Sequence, residues 1–357
     1  MVQVWLFLAG IALLVVGAEA LVRGASRLAL AAGLSPLVIG LTVVAFGTSA
    51  PELTVSVVSA LSGRGDVAFG NVVGSNTFNV LFILGLSAAI TPLAVDAKLV
   101  RIDVPLVIAA SFAMALLALD GTIGRIDGLL LAGGLVVYTV FAIRVSRREN
   151  REIAARDEAA RPGGRALAAA AAIAGAGLAM LVLGSDILVD AAVAFARALG
   201  LSDLIIGLTI VAAGTSLPEV ATSVLAAIRG QRDIAVGNVV GSNLFNILGV
   251  LGVASVVSPD GIRVPPEAMA FDVPVMLAVA IACLPIVFTG RRIDRWEGVL
   301  LLAYYAAYTA FLVLDATGHD SLPAFSFLMA AFVLPLTVVT LGVLVWRAIP
   351  ARSNDGR

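Results

Sequence analysis

One segment of this chain is written twice. Residues 33–79 and 200–246 stand at a constant offset of 167 and are identical at 30 of 47 positions. The shared positions include Gly-Thr-Ser-x-Pro-Glu (Gly47–Glu52 and Gly214–Glu219) and Gly-Asn-Val-Val-Gly-Ser-Asn-x-Phe-Asn (Gly70–Asn79 and Gly237–Asn246). Each copy sets a glutamate, Glu52 or Glu219, inside an otherwise apolar run. A duplicated polar motif in such a setting predicts two structural repeats that share one binding site.

The setting is a membrane. With 60% apolar and 13% charged residues and a mean hydropathy of +1.05 over 357 residues, a soluble globular domain is excluded. Segments able to cross roughly 30 Å of hydrocarbon lie at about 3–22, 36–61, 66–90, 103–120, 126–143, 166–189, 203–228, 233–257, 270–289, 297–314 and 323–346, which makes eleven spans. The first residues run straight into an apolar stretch with no basic region before it, so they read as a first span and not as a cleaved signal. The single cysteine, Cys283, rules out an intramolecular disulfide and a Cys-based metal site, and His319 falls in a polar connection as a solvated residue.

The Arg-rich stretch Arg144–Arg165 is the one long linker, and it divides the chain into a first repeat (1–143), the linker (144–165), a second repeat (166–314) and an extra span with a tail (315–357). Placing the linker in the cytoplasm puts 19 of the 23 basic residues on that side, which predicts an outer N-terminus and an inner C-terminus. Five spans per half is an odd number, so the second copy enters the membrane from the opposite face and the repeats are inverted. The correspondence continues outside the core motifs: Gly17-Ala18-Glu19 matches Gly184-Ser185-Asp186, and Asp103-Val104-Pro105 matches Asp272-Val273-Pro274 after a two-residue slip. The fold expected is an all-α polytopic membrane protein of two inverted five-helix repeats plus an extra C-terminal helix.

Ser35-Pro36 and Ser202-Asp203 read as helix starts that fix the register of the second and seventh spans. Counting from Leu61, Glu52 lies about 14 Å deep at 1.5 Å per residue. Ser75 on the next span reaches the same level, and Thr48 and Asn79 lie deeper. By inversion Glu219, Thr215, Ser242 and Asn246 mirror them, so both glutamates fall near the midplane. Carboxylate, hydroxyl and amide oxygens without thiolate or imidazole suit a hard cation such as calcium. Pro51 and Pro218 cannot donate to the carbonyls of Gly47 and Gly214, and such freed carbonyls are expected as further ligands.

Blander roles compete. Gly40, Gly70 and Gly74 are expected to serve close helix packing, and Ser49, Ser75, Ser216 and Ser242 could each bond their own helix backbone. Two carboxylates at symmetric depths in hydrocarbon are another matter, because each costs at least a few kcal/mol and such a pair is expected to be functional. Glu19 and Asp186 are expected near the membrane interface. No phosphate-binding Gly-x-x-x-x-Gly-Lys-[Ser/Thr] loop is present, so ion gradients would supply the energy. A cation/proton antiporter, a membrane-embedded hydrolase using the two glutamates as acid and base, and a receptor or channel are the other readings left open.

Both motif copies resemble the signature of the sodium/calcium exchanger family, within the cation/calcium exchanger superfamily, and the likeness is nearest to bacterial calcium/sodium antiporters with a short central linker. The resemblance implies that Glu52 and Glu219 bind calcium and also sodium, with Thr48 and Thr215 at the calcium position. Ser49, Ser75, Ser216 and Ser242 would line sodium sites together with the carbonyls of Ala45 and Ala212. It further implies alternating-access antiport in which spans 1 and 6 move against the core, in a bacterial inner membrane. Calcium and sodium would be cargo, with no cofactor, no catalytic residues, no nucleic acid and no obligatory protein partner beyond the lipid bilayer. One position departs from the pattern: where some relatives carry aspartate, this chain has Asn246, matching Asn79. Two negative charges balance one calcium ion but not three sodium ions, so the ion ratio usual for the family is not secured, and protons or fewer sodium ions could drive exchange.

Overall fold

The computed structural model describes residues 2–154, 164–199, 212–288 and 290–354 and is helical almost throughout. Helix α1 (Val2–Ala32) leads to a broken span, α2 (Pro36–Thr48) and α3 (Ala50–Leu61), bent by 46° at the break. Then come α4 (Gly65–Ile90), α5 (Leu99–Leu117), α6 (Arg125–Ala154) and α7 (Gly164–Ala198). In the second half a turn at Ala212–Gly214 precedes α8 (Leu217–Ile228), α9 (Arg232–Val257), α10 (Ala268–Phe288), α11 (Arg295–Ala316) and α12 (residues 322–354). Among the described residues nine helices are long and apolar enough to cross a membrane, and the bent pair α2–α3 adds a tenth. The α8 helix is the end of the predicted 203–228 span; its first part, with the Ser202-Asp203 start, lies outside the described residues.

Local chemistry accounts for the breaks. Ser35 accepts the Val38 N–H at 3.3 Å and Pro36 occupies the first turn, so α2 starts where the cap signature places it. Pro51 lacks the N–H that would bond the Gly47 carbonyl, and the chain bends one residue after Thr48. Two expectations shift. The first span outlasts its apolar run by a further ten residues, to Ala32, and the predicted linker 144–165 is helical through Ala154 and again from Gly164. Arg and Glu are good helix formers and pair at i, i+4, so charge ends the membrane crossing without ending the helix.

The inversion is visible in the pairing. Strand β1 (Leu93–Ala94) pairs antiparallel with β4 (Arg292–Ile293), and β2 (Thr122–Ile123) with β3 (Ile262–Arg263). Strands β1 and β3 follow α4 and α9, while β2 and β4 precede α6 and α11. Each ribbon therefore joins one repeat to the other, and a two-fold operation exchanges the two ribbons. These two-residue strands have no signal in the sequence.

Helices α1 and α7 lie antiparallel along a line of glycines. A Cβ at Gly10 would sit 3.0 Å from the Gly184 carbonyl, one at Gly17 would sit 2.8 Å from the Gly177 carbonyl, and one at Gly24 would meet the Ala174 nitrogen at 2.5 Å. Backbones this close need residues without side chains. The same device repeats symmetrically, with Gly128 against Gly252 and Gly85 against Gly298. Gly40 packs on Ile234 as expected. Gly70 and Gly74 differ from that expectation, since a Cβ at either meets nothing within 4 Å among the described residues. Helices α4 and α9 are the most enclosed, and α12 stands at the periphery with no buried stretch. What they enclose is a polar cluster.

Candidate cation site

Each glutamate lies in the first turn of a half-helix, Glu52 in α3 and Glu219 in α8, and both are buried to 1% exposure. The partial positive charge at a helix N-terminus favours a carboxylate there. Ser49 and Ser216 stand at the N-caps three residues before, a spacing at which serine and glutamate commonly bond each other's backbone N–H groups. Neither serine caps its own helix. Instead Ser49 Oγ donates to Glu219 Oε1 at 2.9 Å and Ser216 Oγ donates to Glu52 Oε1 at 2.7 Å, each across the boundary between repeats. Ser75 Oγ lies 3.4 Å from Ser216 Oγ.

The second oxygen of each carboxylate, Oε2, has no hydrogen-bond partner among the described residues, and neither do Asn79 Oδ1, Asn246 Oδ1, Thr215 Oγ1 and Ser242 Oγ. Thr215 is beside Glu52, while Thr48 and Ser242 are beside Glu219. The crossed serine bonds bring the two carboxylates to the same boundary between repeats. Buried polar atoms are ordinarily paired, and here the unpaired ones at the repeat boundary are all oxygens. A set of carboxylate, hydroxyl and amide oxygens fits a hard cation as cargo. Among the described residues no three acidic, histidine or cysteine side chains cluster, so two carboxylates set the formal charge.

The remaining expected ligands fare unevenly. Thr48 Oγ1 is engaged with Asn238 Oδ1 at 3.1 Å and the Ala45 carbonyl at 3.4 Å. The Ala45 carbonyl also accepts the Ser49 N–H at 3.0 Å. Ala212 opens the turn before α8. The carbonyl freed by Pro218 has a partner already: Ser185 of α7 donates to Gly214 O at 2.6 Å, which leaves one of the oxygen's two lone pairs. In the first repeat the matching residue is Ala18, which has no hydroxyl.

Six further residues belong to the cluster. Asn71 Nδ2 donates to the Glu52 carbonyl at 3.1 Å and to Ser56 Oγ at 2.9 Å, and Asn238 Nδ2 donates to Ser223 Oγ at 2.9 Å. Asn76 and Asn243 bond the asparagines of the opposite repeat. All six are identical between the copies, so the duplication itself carried the signal. Where Asn79 and Asn246 sit, both helices widen into π turns, at Asn79–Leu84 and Phe245–Leu251, a local irregularity common at functional sites.

Outside this cluster Glu19 is held by Arg23 and, at 2.9 Å, by Arg229 at the end of α8. Asp186 is exposed.

The description "Sodium/calcium exchanger protein" is matched by this chain over residues 2–144 and 169–314. The chain is 36% identical to the inner membrane protein YrbG of Escherichia coli (strain K12) over 314 residues, covering 86% of this chain and 95% of that protein. It is 30% identical to the sodium/calcium exchanger MaX1 of Methanosarcina acetivorans over 345 residues, covering 86% and 97%. Among solved structures, the sodium-calcium exchanger NCX_Mj soaked with zero Na+ and Ca2+ superposes with a TM-score of 0.75 at 31% identity, covering 87% of this chain and 98% of that one.

Proposed function

This chain belongs to the sodium/calcium exchanger protein family, and from that premise we propose that it exchanges calcium for sodium by alternating access at the pocket between its repeats. The observation that carries the reading is the pair Glu52 and Glu219. The two carboxylates come from opposite repeats and are both buried, and each keeps one oxygen without a hydrogen-bond partner among the described residues.

The physics gives a coupling rule. Two uncompensated carboxylates sealed in a low-dielectric interior cost several kcal/mol, so the empty pocket resists closing to water. Calcium, or sodium ions in its place, cancels that charge and lets the loaded site be shut from one side and opened to the other. Competition for the same oxygens makes the two fluxes opposite, with Glu52, Glu219, Thr48, Thr215, Ser49, Ser75, Ser216, Ser242, Asn79, Asn246 and the carbonyls of Ala45 and Ala212 as the ligand set. The moving part is the glycine-lined pair α1 and α7, sliding against the core. The N-terminus faces outward and the Arg-rich segment between the repeats faces the cytoplasm, following the bias of basic residues.

A second reading has one observation in its favour: Asn246 leaves the pocket two carboxylates, enough for one calcium ion but too few for three sodium ions. Protons could then be the driving species on the same scaffold. Radioactive calcium uptake into proteoliposomes under imposed sodium, potassium or proton gradients tests both. Uptake driven by sodium alone supports the proposal; uptake driven only by a pH gradient replaces it with calcium/proton exchange, and no uptake under any gradient removes both.

A further inference from the structure

We propose that Asn76 and Asn243 are positioning residues that lock the side-chain amides of Asn79 and Asn246 with their oxygens toward the cation, each acting across the boundary between repeats. The inference rests on the reading of the pocket as a cation site and adds what fixes the polarity of its neutral ligands.

An asparagine amide has two ends of nearly equal shape and opposite chemistry, an acceptor oxygen and a double donor nitrogen. Facing a cation, the oxygen attracts and the NH2 group repels, so an unlocked amide is a poor ligand. In this pocket both amides are pinned by their nitrogens. Asn79 Nδ2 donates to Asn243 Oδ1 at 3.0 Å, and Asn246 Nδ2 donates to Asn76 Oδ1 at 3.2 Å. Asn79 Oδ1 and Asn246 Oδ1 are left with no hydrogen-bond partner among the described residues. The lock is itself anchored, because Asn76 Nδ2 donates to the Asn243 backbone carbonyl at 3.4 Å and lies 3.9 Å from Met276 Sδ. All four side chains are buried, with exposures of 1–3%, so water does not compete for these bonds. Asn76 and Asn243 hold equivalent places in the two copies, and each serves the amide of the other repeat.

Aspartate at position 79 would present oxygen whichever way it turned and would have no NH2 group to be held. The lock therefore predicts a specific non-additivity, which a merely structural role does not. Calcium KM and kcat are measured in proteoliposomes under a sodium gradient for wild type, Asn243→Ala, Asn79→Asp and the double variant. Asn243→Ala should raise calcium KM about tenfold with kcat within about twofold, the scale of a lost bond that holds a charge-facing ligand. Introduced into the Asn79→Asp variant, the same change should move KM by less than about twofold. Equal cost in both backgrounds would overturn the lock while leaving the exchanger reading intact. Wild-type protein without calcium flux would overturn both. Should Asn243→Ala not accumulate as folded protein, Asn76→Ala with Asn246→Asp runs the same cycle from the other repeat.

Discussion

Ser216 donates its hydroxyl to Glu52 across the boundary between repeats, at 2.7 Å, while leaving its own helix uncapped. Its symmetric twin, Ser49, does the same for Glu219. Each carboxylate is thus oriented by the break of the opposite span, and neither half-site can form without the other repeat in place. That dependence suits a pocket whose contents must be sensed by both halves at once.

Removing one charge should disable the pocket without unfolding the protein. Glu52→Gln and Glu219→Gln are each expected to lower sodium-driven calcium uptake about a hundredfold, equivalent to ~2.7 kcal/mol, within the range for a lost interaction with a charged group. Both variants should still elute as monodisperse protein in detergent. Uptake at the wild-type rate in either variant would remove it from the site.

Loss of the crossed hydroxyls should be felt in ion binding as well as in stability. Ser216→Ala and Ser49→Ala each remove a bond to a carboxylate, which predicts a rise of about tenfold in the ion concentration for half-maximal flux. Because neither serine caps its helix, any loss in the melting transition should come from the buried carboxylate oxygen left without its donor, ~1–3 kcal/mol, and not from a lost cap. Melting that falls while ion dependence stays fixed would show that the serines cap after all.

Packing of α1 on α7 gives a contrast within one helix. A Cβ on Gly177 would lie 2.5 Å from the Leu21 nitrogen, whereas one on Gly175 meets nothing within 4 Å. Gly177→Ala should therefore destabilise by ~1–3 kcal/mol, and Gly175→Ala should be neutral or stabilise by up to ~1 kcal/mol through helix propensity. Thermal melts in detergent that rank the two the other way would contradict the close approach.

A carboxylate and phenol pair recurs at matching places in the two repeats, Asp103 with Tyr138 at 3.0 Å and Asp272 with Tyr308 at 2.7 Å. Asp103 is 1% exposed, so Tyr138→Phe leaves a buried acceptor unsatisfied and should cost ~1–3 kcal/mol in a melting experiment. Tyr308→Phe should cost less, since Asp272 is only half-buried. Equal and negligible losses would mean that neither bond holds its helices together.

The membrane class, the inverted duplication and the two glutamates at its centre were legible in the order of residues alone. Apolar length, an odd number of spans per copy and repeated motifs are properties of that order, and they survive without coordinates. The oxygen-bearing residues along each helix could be named the same way, since spacing within one helix sets depth. What stayed open is who bonds whom. Ser49 is 170 positions from Glu219, and Asn79 is 164 from Asn243, and the periodicity of either helix is silent about a partner on another one. In sequence, Ser49 to Glu52 has the spacing of a local cap, and Gly214 looks like an open carbonyl. Packing turned the serine toward the other repeat and covered the carbonyl with Ser185. Those outcomes depend on how closely the glycine-bearing helices approach and on the angle at which the broken spans cross, and both are fixed only once the helices have come together.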